Sequence, residues 1–162
     1  MKTIGKVIIA GVVGTTFMTL YSYLKAKKED QEYLEPVMIN KLIDNSKNLP
    51  SIADEDLHAA GWILHYTTGV GFFTMYHLLW KKALVKPTIF KSILLGSISG
   101  IVDILVWKQL FAQHDRPPRN YRYGYYRQLF VAHIVFAISA VPAYKVLGDS
   151  NKIRINYGKA QL

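Results

Sequence analysis

The chain has 162 residues, 51% of them apolar, a formal net charge of +9 and no cysteine. That length favours one domain, and the missing cysteines exclude disulfides, thiol redox chemistry and thiolate metal sites. On a soluble chain the charge would point to nucleic acid, but here Lys and Arg gather at the ends of apolar runs. Snorkelling and anionic headgroups explain that placement, so the expected partner is the lipid bilayer and not nucleic acid.

Residues 4–24 open the chain as a first span. The run Val7 to Leu24 carries no charge. Lys25, Lys27 and Lys28 follow it where a secretory cleavage site would need small residues, so it reads as an uncleaved span. A polar segment, 25–56, holds most of the acidic residues. Within it Pro36 opens an amphipathic pattern through Val37, Met38, Lys41 and Leu42. This predicts a short helix, lying either on the membrane surface or on the end of the bundle.

A second span is expected over 55–81, with Ser51 or Asp54 as its N-cap. A turn follows, then a third span over 88–112. Gln113 to Tyr126 form a basic, tyrosine-rich loop. A fourth span covers 127–147, and a polar tail covers 148–162. Trp62, Trp80, Trp107 and several tyrosines stand near span ends, where aromatic belts form. The fold class read from this pattern is all-α: a single integral membrane domain, 1–162, built as a four-transmembrane-helix bundle with a short amphipathic surface helix between spans 1 and 2. Lys and Arg divide evenly between the two sides. The long acidic segment opposite the termini places the termini inside.

Each span carries a polar group at a similar depth. His65, Asp103, His133 and the pair Thr15 and Thr16 all fall roughly 10–13 Å below one surface, at 1.5 Å per residue. Ser92, Gly96, Ser99, Gly100, Asp103 and Trp107 share one stripe of the third span. Small residues four apart mark close packing between membrane helices, which puts Asp103 on a packing face. His65 shares a stripe with Trp62, Gly69, Phe73 and Tyr76, His133 aligns with Ala137 and Ala140, and on the first span Ala10 and Gly14 form another small pair with Met18 on the same line. An ionised carboxylate in hydrocarbon costs roughly 2.5–3.5 kcal/mol even on the lenient insertion scale, so Asp103 needs a partner, and a histidine supplies one.

Three readings follow. The polar groups form a packing network in an accessory subunit. Alternatively, they form a transporter-like pocket for a small ligand or proton, walled by Trp62, Tyr66 and Trp107. In the third reading His65 and His133, with Asp103, ligate haem or a divalent metal. Arg116, Arg119, Arg122 and Arg127 suit either phosphate headgroups or interfacial anchoring. No enzyme is expected. Lys108 and Arg116-Pro117 lack the lipid-phosphatase spacing, and Gly96 to Gly100 reads as packing and not as a protease serine motif. A bundle this small suggests a homodimer or larger membrane complex if it transports.

Gly61-Trp62-x-x-His65-Tyr66-x-x-Gly69-x-x-Phe72 resembles the motif of a family of small bacterial inner-membrane proteins of unassigned activity. Pro87-Thr88, the Arg/Pro-rich loop, His133-x-x-Phe136 and Gly14-x-x-x-Met18 are similar to that family as well. It carries an acidic residue after that methionine, where this chain has Thr19. The resemblance implies four spans in a bacterial cytoplasmic membrane and no particular activity.

Overall fold

A computed structural model describes the backbone of residues 2–159 and the side chains of residues 2–148. Among these residues the chain is all helical: α1 (Thr3–Glu29), α2 (Glu35–Asp44), α3 (Ala59–Leu79), α4 (Lys81–Val85), α5 (Ile89–Gln113) and α6 (Arg122–Lys159). α6 starts within the expected basic loop. Its backbone runs on through most of the segment read as a polar tail, whose side chains lie outside the described residues.

Three stretches are long and apolar enough to cross a membrane: Thr3–Glu29, Ile89–Gln113 and Arg122–Gly148. The sequence pattern led us to expect four. α3 has 21 residues and no Asp, Glu, Lys or Arg. Its two histidines, its tyrosines and its run of threonines dilute the apolar character. The outer faces of α1, α3 and α5 carry exposed Ile, Leu, Val or Phe, among them Ile4, Phe17, Ile63, Leu64, Ile101 and Leu105. Water would make such a surface costly, whereas lipid matches it.

The long helices pack in the order α3, α1, α6, α5. Small residues set the close contacts. A Cβ on Gly96 would come within 2.6 Å of the Ile134 backbone, and one on Gly14 would strike the Phe136 ring and Ala140. Only glycine lets α5 and α1 lie this near α6. The expected packing stripes hold: Ala10, Gly14 and Met18 on α1, Ser92 to Trp107 on α5, and His133, Ala137 and Ala140 on α6 are buried. α3 and α5 touch through Tyr76, whose hydroxyl lies 2.6 Å from Ser99 Oγ. They do not pack along their lengths.

α2 closes one end of the bundle. Asp30 ends α1 in the left-handed conformation, with φ 50°, and Pro36 sits in the first turn of α2, where its missing N–H costs nothing. Glu35, Pro36, Val37, Met38 and Asn40 are all buried. Of the two placements expected for this helix, the packed one is observed. Asn40 also starts α3: it accepts from Gly61 N at 2.7 Å, and its amide donates to Glu55 O at 2.7 Å and His58 O at 3.0 Å. α3 therefore begins at Ala59 and not at 55. His58 is the N-cap, accepting from Ala60 N. Asp54, one of the expected caps, folds the preceding turn by accepting from Asp56 N and Leu57 N. Ser51 donates to Asp44.

Removing the clamp leaves buried backbone groups without partners. Asn40→Ala should lower the unfolding free energy by about 2 kcal/mol, read by chemical denaturation in detergent. A loss under roughly 0.5 kcal/mol, the range of neutral surface changes, would show that α3 starts without it.

Candidate functional site

One cavity of about 120 Å³ lies beneath α2. Its walls come from five helices: Thr15 and Met18 of α1, Glu35 and Ile39 of α2, His65, Thr68, Gly69 and Phe72 of α3, Asp103, Val106, Trp107 and Leu110 of α5, and His133 and Phe136 of α6. The three ionisable groups expected to converge, His65, Asp103 and His133, do share this space. So do Thr15 and Trp107. All five are buried.

Hydrogen bonding fixes which atoms face the cavity. His133 Nδ1 lies 3.0 Å from Leu129 O, one turn earlier on α6. A carbonyl only accepts, so Nδ1 carries a proton. In the neutral ring, Nε2 is then a bare acceptor. It stands 3.9 Å from Asp103 Oδ2, beyond direct hydrogen-bond length. Phe72 meets the His133 ring edge to face, with centroids 5.2 Å apart. Trp107, one turn along α5 from Asp103, lines the same space.

His65 is held differently. Its Nε2 is 2.8 Å from Thr19 Oγ1, and the Thr19 hydroxyl spends its one proton on Thr15 O, also at 2.8 Å. His65 must therefore donate to Thr19 from Nε2. That bond occupies His65 Nε2, while His133 keeps Nε2 open. No group of three His, Asp or Glu side chains among the described residues is gathered to hold a metal ion. The cavity is also too small for a porphyrin, so neither the metal set His65, His133 and Asp103 nor haem matches the geometry.

Other expected site residues lie elsewhere. Thr16 is exposed and sits 3.2 Å from the Tyr66 hydroxyl, so this pair bridges α1 and α3 on the outer surface. Trp62 directs its indole N–H to Asp56 O at 3.0 Å, away from the cavity. Of the four arginines, Arg116 and Arg119 are exposed, and Arg127 pairs with Glu29 at 3.3 Å. Arg122 stacks on Phe111 at 3.4 Å and donates to Pro118 O. Two of the four are thus engaged within the protein and are not gathered as a phosphate fork.

The residue that the sequence reading missed is Glu35. It is 2% exposed and lines the cavity from above. Ser22 donates to its Oε1 at 3.1 Å, and Gln128 Nε2 donates to Ser22 Oγ at 2.5 Å. Glu35 Oε2 has no hydrogen-bond partner, nor do the buried Gln128 Oε1 and Tyr125 hydroxyl. Glu35 opens α2 and precedes a proline, so in sequence it resembles an acid complementing a helix dipole. Only the reversal at Asp30 turns it inward.

Loss of water pushes the Glu35 carboxyl up to about 8, and the nearby Asp103 adds to the rise. The groups around it are Ser22 of α1, His65 of α3, Asp103 of α5, and Tyr125, Gln128 and His133 of α6. The folded protein thus holds a proton that the unfolded chain releases near pH 4.3. That stability is complete below the unfolded value and is lost as pH rises through about 8. Thermal stability of the wild type should fall steadily between about pH 5 and pH 9, and Glu35→Gln should flatten that slope. An unchanged slope in the variant would place the titrating group elsewhere.

Comparison with protein-family models, with characterised proteins and with solved structures returns no match, and the functional reading rests on the geometry of this site.

Proposed function

We propose that the chain is a four-span protein of a bacterial cytoplasmic membrane, with its termini inside. In this reading the acid–imidazole cavity beneath α2 binds a small ligand or proton. One observation carries it: Glu35, His65, Asp103 and His133, from four different helices, border one cavity in which acceptors outnumber partners. A packing network would satisfy its own members. Here Asp103 and His133 stop short of contact, and Glu35 Oε2 bonds to nothing. Buried polar groups left unmatched cost stability, and binding sites tolerate that cost.

α3 counts as the fourth span for two reasons. It has spanning length without a formal charge, and its most polar group in the upper half, His65, is buried against Thr19 of α1, not among lipid tails. A span whose polar groups face protein need not be apolar throughout. A chain of this size that transports would do so as a dimer or within a larger complex.

Two measurements test this. The chain has no native cysteine, so single substitutions report topology cleanly. With four spans, Leu49→Cys should react with an impermeant maleimide in intact cells, while Lys86→Cys should react only after permeabilisation. Equal labelling of both from one side would show that α3 does not cross. For the cavity, Asp103→Asn should leave thermal stability at pH 7 equal to or above wild type. A drop of several degrees would instead mark a purely structural network.

A further inference from the structure

The shape of the cavity says from where, and by what, it is filled; this inference rests on the binding-site reading above. Its water-side end is covered by α2, with Glu35 and Ile39 in the roof. Its other exposed wall residues are Thr68 on α3 and Val106 and Leu110 on α5. These, with Phe72, form two facing rows four residues apart on the helix pair that does not pack along its length. Tyr76 closes that seam further down, through Ser99 and Leu95 O. Thr68 lies nine residues below the start of α3 and Leu110 three residues above the end of α5. At 1.5 Å per residue the mouth spans depths of roughly 5–13 Å beneath that end of the bundle. In a four-span protein that level is hydrocarbon, so the mouth faces lipid and not water.

The interior is acceptor-rich. Asp103 and His133 Nε2 border it as acceptors, Glu35 Oε2 borders it without a partner and accepts once its proton is given up, and no Lys or Arg among the described residues lines it. A primary ammonium has three N–H donors and no acceptor. Such a nitrogen placed between His133 Nε2 and Asp103 Oδ2, which are 3.9 Å apart, can reach both. A phosphate or carboxylate head would meet two carboxyls and no cation.

We propose that the cavity receives the primary-amine head of a single-chain amphiphile that enters sideways from the bilayer between α3 and α5. The ammonium is held by Glu35, Asp103 and His133, and the alkyl chain lies along Thr68, Phe72, Val106 and Leu110.

The test uses the full chain in lipid nanodiscs and a long-chain alkyl primary amine bearing a diazirine near its head. Crosslinks mapped by mass spectrometry should concentrate on Thr68, Phe72, Val106 and Leu110. Excess dodecylamine should reduce them at least several-fold, while butylamine and myristic acid should not. Val106→Trp, a change at an exposed position that narrows the mouth, should also reduce them. So should Glu35→Gln combined with Asp103→Asn. Labelling spread over all lipid-facing helices and insensitive to dodecylamine would overturn the proposal. Competition by butylamine equal to that by dodecylamine, with Val106→Trp silent, would overturn the lateral route and the amphiphile. The binding-site reading fails separately, through the Asp103→Asn stability measurement, which needs no amine.

Discussion

A carboxyl group held away from water must be matched, protonated or supplied with a ligand. That constraint organises one end of this bundle. Asp103 lies on the glycine- and serine-lined face of α5, where close approach to α6 brings His133 near it. Glu35 lies over the same space on a chain of Ser22 and Gln128. His65 is fixed through Thr19, whose hydroxyl also bonds back to the α1 backbone at Thr15 O. The opposite end uses Tyr76 with Ser99 and Tyr144 with His77, the latter at 3.1 Å. The buried carboxyls Glu35 and Asp103 therefore both lie under α2, and packing alone does not require that asymmetry.

The same constraint explains why α3 differs from its neighbours. It supplies His65 and Thr68 to the cavity and a hydroxyl bond to α1 on the outside. Each of these lowers its apolar character, and together they take it below the level at which α1, α5 and α6 qualify as spans by composition. Its polar side chains are accommodated by protein on one side, and Ile63, Leu64, Met75 and Leu78 face outward on the other.

Much of this was legible from spacing alone. Four-residue repeats of small side chains located the packing faces of α1, α5 and α6. Equal depth along antiparallel helices brought His65, Asp103 and His133 to one level. Two things were not legible. Glu35 stands just ahead of the amphipathic pattern that Pro36 opens, and its inward turn depends on a backbone reversal at Asp30 that a non-glycine residue does not advertise. The outward placement of Thr16 and Tyr66 turns on about 100° of helix rotation. Thr15 and Thr16 are adjacent in sequence, yet one is buried and the other exposed. Depth could be read from the chain, but the rotation of α3 about its own axis is set by contacts such as Asn40 with Gly61.

α2 is a rod of ten residues fixed at two points. Glu35 near its beginning is anchored over the cavity, and Asn40, five positions later, grips the first turn of α3. So short a helix bends little, which makes it a lever arm. A force on the carboxyl from below arrives, about 7–8 Å further along, at the amino end of α3. The cavity roof and the amino end of α3 are thus joined by one short rigid element.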